Sequence, residues 1–478
     1  MHYAAFILLV LLLLHPSRAL LVLAQTDPID EYIQAEMKSR SIPGLALVVV
    51  KNGDIVKIKG YGFANLEYDV PATPDTVFAL ASVAKQFTAT AIMLLVDQGK
   101  VRLDDPINQY LPSSPEQWKA ITVRHLLTHT AGLAALFKGF NSLREGGWRT
   151  DYTTAQMFEA AVKDPISFAP GERWQYSDVG YFLLGMIIEK ASGGTYRNFL
   201  ASHFFKPVGM ASTSVTDLWA ILKNRAAGYS MRGHRLVNSR RVVQFELHSA
   251  GGVWSTVRDL AKWDNALATG RIVKPSSLEQ MWRPVKLNSG GSYPYGFGWV
   301  IDEKRGHQMI THVGLTGTEY TRFPDDKLTV IVLTNLDLPI GGTTSNAWGL
   351  TKGVAGRLIP ALLFSSLKEQ AEINPDLTQK LRNLLLKAAK GEEVPMMTPG
   401  LRARRADASV ANLAKRLQEL TSFTFLACEE IKGRVFERFG AQVSRTCYYK
   451  MVTRSETRYY RFLLTSDDKV ADFGSFTE

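Results

Sequence analysis

Phe78-Ala79-Leu80-Ala81-Ser82-Val83-Ala84-Lys85-Gln86-Phe87-Thr88 is the stretch on which the reading of the fold turns. Apolar residues recur at helical spacing through Phe87, Ala91, Leu94 and Leu95 up to Gly99, which predicts a helix beginning near Ser82. Ser82 and Lys85 stand three apart, so a hydroxyl and an ammonium share one helix face. A serine at a helix N-terminus lies beside free backbone N–H groups and the positive end of the dipole, which suits a nucleophile whose product oxygen becomes an anion. Serine alone is a poor nucleophile near neutral pH and needs a base. A lysine that is partly desolvated and crowded by other cations loses its proton more readily and can serve. Taken by itself, the tetrad reads more readily as a chance match with a plain N-capping serine.

Two further segments carry side chains of the same kind of chemistry. In Phe168-Ala-Pro-Gly-Glu-Arg-Trp-Gln-Tyr-Ser-Asp178, Pro170-Gly171 sets a turn and Tyr176-Ser177-Asp178 leads into a helix. A buried tyrosine can act as a phenolate base if flanked by cations, and a polar side chain two residues on, here Asp178, can hold a substrate amide; taken alone, Tyr-Ser-Asp reads more readily as a tyrosine packed at a loop edge. In Ile310-Thr-His-Val-Gly-Leu315 an edge-capable strand presents His312 as a polar donor, followed by Gly314, where a missing side chain lets a substrate backbone approach.

Working outward, Gly44-Leu-Ala-Leu-Val-Val-Val50 and Ile55-Val-Lys-Ile-Lys59 flank Asn52-Gly53, a strong hairpin signal. Tyr295-Gly-Phe-Gly-Trp-Val300 and Leu328-Thr-Val-Ile-Val-Leu-Thr334 are expected as late strands, and Ala155–Val162 and Gly180–Lys190 as helices. Strands at both ends with helices between predict an α+β arrangement in which the first hairpin and the late strands share one sheet. After about Leu367 the character changes. Ile373–Lys390 and Asp407–Leu420 look amphipathic and helical, and Gly391–Arg405, rich in Pro, Gly and charge, reads as a solvated linker or surface loop. From Phe423 alternating segments predict a small appended α+β domain. The expected layout is residues 1–24 as an export signal, 27–365 as the main domain, 366–420 as a helical linker region and 421–478 as the appended domain. No internal repeat is present.

Composition is that of an ordinary globular protein: 46% apolar and 21% charged over 478 residues. A mean hydropathy of -0.06, with one strongly apolar stretch at the N-terminus, excludes a polytopic membrane protein. The formal charge of +11 is mild over this length and specifies no anionic partner. Ala4 to Leu14 are consecutive apolar residues, too few to span a bilayer but suited to a signal-peptide core, with Val22 and Ala24 before a cleavage point at Gln25. The expected location is therefore exported, periplasmic or secreted, with membrane attachment only if this segment stays uncleaved. Cys428 and Cys447 stand nineteen apart, which in an exported protein suits a local disulfide worth roughly 3 kcal/mol; two buried thiols are the alternative. The basic cluster Arg402, Arg404 and Arg405 is read as solvated surface, with no nucleic-acid partner. His125 and His129 have the spacing of a helical metal pair but lack the following glutamate of H-E-x-x-H, so no metal site is expected. The pairs Tyr448-Tyr449 and Tyr459-Tyr460 are read as sheet packing rather than a ligand-stacking face.

The three chemical segments, in this order, resemble the serine β-lactamase and penicillin-binding-protein superfamily, specifically its class C-like branch. The resemblance runs through Leu95-Val-Asp-Gln-Gly-Lys-Val-Arg-Leu-Asp-Asp-Pro106, Ile121-Thr-Val-Arg-His-Leu-Leu-Thr-His-Thr-Ala-Gly-Leu133, Ser249-Ala-Gly-Gly-Val-Trp-Ser255, Arg322-Phe-Pro-Asp-Asp326 and Thr334-Asn335, over roughly residues 27 to 365. It implies a β-lactamase-like fold, an antiparallel sheet flanked by helices with an all-helical subdomain, and no cofactor. It implies that Ser82 is the acylated nucleophile, that Lys85 and Tyr176 share its proton, and that the backbone N–H groups of Ser82 and Leu315 form an oxyanion hole. Asp178, His312, Gly314 and Leu315 would contact a small-molecule or peptide substrate. Two departures tilt the expected specificity. His312 stands where β-lactamases carry the lysine of Lys-Thr-Gly, and an imidazole with a reference pKa of ~6.5 is mostly neutral at pH 7. Asp178 stands where class C β-lactamases place asparagine, adding a negative charge that favours a charged Lys85. Both point to the esterase, D-amino-acid amidase and peptidase-like members of the superfamily rather than to an efficient β-lactamase.

Overall fold

The computed structural model describes residues 27–476, except 136–152, 240–247, 338–348, 405–412, 432–435 and positions 218, 234, 369, 373 and 415. The segment read as an export signal, and much of the helix expected over Asp407–Leu420, lie outside the described residues.

The chain forms a seven-stranded antiparallel sheet from β1 (Gly44–Lys51), β2 (Asp54–Asn65), β3 (Val70–Pro71), β4 (Val300–Lys304), β5 (His307–Val313), β6 (Glu319–Phe323) and β7 (Leu328–Thr334). Their order is β4-β5-β6-β7-β1-β2-β3, so the first hairpin and the late strands do share one sheet. The hairpin turns where expected: Asn52 and Gly53 both have positive φ, 55° and 92°, and Lys51 pairs with Asp54. The near-continuous apolar run of β1 follows from burial on both faces. Leu45, Leu47 and Val49 pack with Ile29 and Ile33 of α1 (Pro28–Arg40) and with Leu350 and Val354. Ala46, Val48 and Val50 join a larger core on the other face. That core holds α2 (Lys85–Asp97), α3 (Asp178–Ser192) and α4 (Val257–Ala268), the last contributing Val257, Leu260 and Trp263. The fold is α+β.

The expected strand over Tyr295–Val300 is instead a bend. Only Tyr295 and Val300 bridge each other, and β4 begins at Val300. Gly298 has φ 77°, and a Cβ there would come within 2.9 Å of the Lys85 carbonyl oxygen. Gly298 therefore serves a turn pressed against the start of α2, and Gly296 a close approach to the Met281 carbonyl, rather than an extended run.

A second antiparallel sheet follows, β8 (Leu420–Glu430), β9 (Arg445–Thr453), β10 (Thr457–Leu464) and β11 (Val470–Phe476), in that order. Cys428 faces Cys447 in register across β8 and β9, and the two are disulfide-bonded. The segment read as a linker is part of this unit. In α5 (Pro375–Ala389), Leu377, Leu381, Leu384, Leu385 and Ala388 bury an apolar stripe against Cys447, Tyr449, Met451, Tyr460 and Phe462. Within the charged stretch that follows, Val394, Met397 and Leu401 are also buried in that core. A four-stranded sheet needs its apolar face covered, and helical periodicity beside it was the sign that this segment supplies the cover.

The second unit docks on β4, the edge strand of the main sheet. Asp302 lies 3.6 Å from Arg438 and 3.5 Å from Arg461; Arg438 also meets Asp472 at 2.8 Å, and Arg461 donates to the Glu303 carbonyl at 2.6 Å. Burial would raise the Asp302 carboxyl, but the two guanidiniums outweigh it and hold the group below its ordinary value. Removing one member of such a buried cluster leaves uncompensated charge, so Asp302→Ala is expected to cost about 3–5 kcal/mol in urea unfolding. A loss under about 1 kcal/mol would show that the docking does not depend on this cluster.

Candidate active site

Ser82 lies in a single tight turn, Ala81–Ala84, that runs directly into α2. Ala81 is held at φ 47°, a left-handed conformation that costs a non-glycine residue about 1–3 kcal/mol and that recurs where a side chain must be presented at a sharp corner. Ser82 is not a capping serine: neither this turn nor α2 has a side-chain cap. Its hydroxyl is spent elsewhere. Lys85 Nζ donates to Ser82 Oγ at 3.0 Å, and the Tyr176 hydroxyl donates to it at 2.8 Å.

Lys85 is fully buried, and its three N–H groups are all placed: on Ser82 Oγ, on Asp178 Oδ1 at 2.7 Å and on the Ala250 carbonyl at 2.6 Å. Ala250 belongs to the Ser249-Ala-Gly-Gly segment, whose role the sequence alone left unassigned. Burial pushes the Lys85 ammonium below lysine's ordinary value, while the Asp178 carboxylate pulls it back up. Asp178, expected to contact substrate and to add a charge that favours a charged Lys85, makes a salt bridge to that lysine. Its place in the first turn of α3, after the N-cap Ser177, aims the carboxylate at α2.

Tyr176 is a phenol and not a phenolate. Burial first, and then the Asp178 charge, push it well above its ordinary value of 10.0, and only the Ser82 contact works the other way. Tyr176 therefore rests as the neutral phenol, because burial and then the Asp178 charge both disfavour the phenolate.

His312 sits near the end of β5, beyond Thr311, where pairing with β4 stops. It is 4% exposed, its ring centroid lies 6.4 Å from that of Tyr176, and burial together with Lys85 pushes it down to about 3. It is therefore uncharged at neutral pH. The close approach at Gly314 is to the protein itself: a Cβ there would meet Thr318 Oγ1 at 2.2 Å and the Leu80 carbonyl at 2.3 Å. This glycine lets the end of β5 close on the turn that carries Ser82, rather than leaving room for substrate. Leu315, 39% exposed, follows directly in the chain.

Sequence reasoning set His129 aside with His125 as an unproductive metal spacing. His125 does serve structure, since its Nδ1 accepts the Thr122 N–H in a capping box. His129 is different. It is buried, its ring lies 4.4 Å from that of Tyr176, and its Nε2 is 3.2 Å from the Tyr295 hydroxyl. Tyr295 in turn reaches His312 Nε2 at 3.0 Å. Trp174 also borders the site, 6.3 Å from Tyr176 by ring centroids and stacked at 4.1 Å on Tyr293, which meets Phe439 of the second unit at 5.4 Å.

The Beta-lactamase family profile matches residues 29–353, which contain the whole of this constellation. The chain belongs to the Beta-lactamase family. Among curated relatives, Penicillin-binding protein 4* of Bacillus subtilis (strain 168) is 32% identical over 309 residues, covering 60% of this chain and 67% of that one. The match thus spans about two thirds of that relative. Among solved structures, D-amino acid amidase from Ochrobactrum anthropi SV3 aligns with a TM-score of 0.59 and 25% identity, over 70% of this chain and 98% of that one. The octameric penicillin-binding protein homologue from Pyrococcus abyssi aligns with a TM-score of 0.60 over 94% of this chain and 96% of that one. At 24% identity that likeness speaks to fold alone, but it runs through the second sheet as well as the family domain. Membership supports a serine hydrolase in general.

Proposed function

We propose that this Beta-lactamase-family protein is an exported serine hydrolase that forms an acyl-enzyme on Ser82 and cleaves a small ester or an amide of a D-amino acid or peptidoglycan-like peptide. The observation that carries the reading is the double contact at Ser82 Oγ, with Lys85 Nζ at 3.0 Å and the Tyr176 hydroxyl at 2.8 Å. A nucleophile touching both a base and a proton donor is what two-step acyl transfer requires.

The steps follow from the charge states. In the fraction of molecules whose Lys85 is an amine, Nζ takes the Ser82 proton as Oγ bonds to the substrate carbonyl carbon. The oxyanion is met by the backbone N–H groups of Ser82 and Leu315. As the bond to the leaving group breaks, the Tyr176 phenol gives it a proton and recovers one from the Lys85 ammonium. Water then attacks the ester carbonyl by the reverse of these steps and returns Ser82. The neutral His312 supports esters and amides over β-lactams, whose carboxylate calls for a cation at that position.

Asp178 governs the pH dependence. The working base is the Lys85 amine, so kcat/KM rises with pH through a lysine value depressed by burial and partly restored by Asp178. Asp178→Asn removes the restoring charge and is expected to move the ascending limb to lower pH. A limb that stays in place or moves up would remove Lys85 from the role of base.

The reading is tested by comparing 4-nitrophenyl butyrate, D-phenylalanine amide and benzylpenicillin as substrates of the purified protein, with Ser82→Ala as control. Turnover of the ester or amide that depends on Ser82, with penicillin slow or merely retained, is expected. Rapid penicillin turnover exceeding both would favour a true β-lactamase.

A further inference from the structure

Four hydrogen bonds run behind the nucleophile from the Tyr176 loop to the end of β5, and the identity of each donor is fixed by its partner. The Ser177 backbone N–H can only donate, so His129 Nδ1, 3.1 Å away, accepts and carries no proton. Neutral His129 then bears its proton on Nε2, which faces the Tyr295 hydroxyl oxygen at 3.2 Å. At the other end the Val313 carbonyl can only accept, so His312 Nδ1, 2.9 Å away, carries a proton. His312 Nε2 is then bare and accepts the Tyr295 hydroxyl proton at 3.0 Å. The single proton of Tyr295 thus satisfies one imidazole while its oxygen satisfies the other, and all four bonds point the same way. His129, Tyr295 and His312 are each at most 4% exposed, so a reversed proton anywhere would leave a buried group unpaired.

We propose that Tyr295 and His129 are positioning residues that lock His312 as an uncharged imidazole with both ring nitrogens spent on protein, so that the site takes acyl donors whose recognition end carries no free carboxylate. The inference rests on the acyl-transfer reading above and deepens it. A histidine with a nitrogen to spare would gain a proton beside a bound carboxylate and turn into the missing cation. Here Nε2 takes such a proton only if the Tyr295 hydroxyl turns away and gives up its bond to His312. Lys85, Tyr176, Tyr181, Tyr295 and His129 all face this region, and among the described residues the nearby carboxylate, Asp178, is already paired with Lys85. The chain also ties the loop holding Tyr176 to the strand leading to Leu315, two walls that acylation needs in register.

The test is nitrogen-detected NMR of the full chain labelled at its nine histidines, with His129→Gln and His312→Gln used for assignment. His312 is expected in the Nδ1–H tautomer and His129 in the Nε2–H tautomer, neither titrating between pH 5 and 8. The opposite tautomer at either residue, or titration within that range, overturns the proposal. This readout is independent of turnover, so a failure of the hydrolase reading and a failure of this one are separable. In kinetics, wild type is expected to prefer 4-nitrophenyl butyrate over the 4-nitrophenyl monoester of glutaric acid by about tenfold or more at both pH 7.5 and pH 5.5. Tyr295→Phe, judged by a retained melting transition, is expected to lose about tenfold in kcat with KM for the butyrate little changed and to show mixed His312 tautomers. A single unchanged tautomer in Tyr295→Phe, or an acid-dependent gain for the carboxylate ester in wild type, counts against the proposal.

Discussion

Lys85→Ala is expected to slow acylation by about 10²–10⁴-fold, the range that a positioned general base contributes. The size of the effect follows from the isolation of this lysine. It is fully buried, and no second amine among the described residues contacts Ser82 Oγ. Tyr176, the other contact, is held as a phenol by burial and by Asp178, so it cannot take over as base near neutral pH. Truncation also strips the cation from Asp178 and opens a cavity beneath α3, so some stability is lost as well. The two effects separate in a pre-steady-state measurement of acylation at a temperature well below the melting transition. There the rate should be depressed throughout the accessible pH range, with the rising limb of the profile gone. A variant that keeps the wild-type limb would place the base elsewhere.

Ser82→Ala is expected to remove covalent turnover altogether, a fall of at least about 10⁴-fold in kcat/KM for ester substrates. The fold should survive. The hydroxyl caps no helix, it lies at the half-exposed corner of the turn, and the strain at Ala81 is independent of it. Circular dichroism and a melting curve close to wild type, with no ester turnover, are the expected pair of results. Undiminished turnover by this variant would reassign the nucleophile.

How much of this was legible in the sequence depends on how local each signal is. The Asn52-Gly53 hairpin, the helix that begins near Ser82 and the helix into which Tyr176-Ser177-Asp178 leads are short-range patterns, and each appears in the structure near its expected bounds. The Ser82–Lys85 contact is equally local, three residues apart on one face. The misreadings concern residues whose partners are distant. Tyr295 was taken for a strand residue because aromatic and branched side chains surround it, whereas it turns against His129, 166 positions away. The charge of Asp178 near Lys85 is legible only through the family resemblance, since nothing local indicates that its carboxylate meets a lysine 93 positions earlier. Gly314 carried the signal of a close approach but not the identity of the neighbour. The helix Pro375–Ala389 was given the right periodicity and the wrong allegiance, because an apolar stripe does not say which sheet it covers.

The central claim is that acyl transfer passes through Ser82, and intact-protein mass spectrometry tests it most directly. Quenching the wild-type enzyme during turnover of 4-nitrophenyl butyrate should reveal a transient mass increase of one butyryl group, mapped by proteolysis to the peptide containing Ser82 and absent from Ser82→Ala. Turnover with no adduct at any time point, or an adduct mapped to another residue, would contradict it.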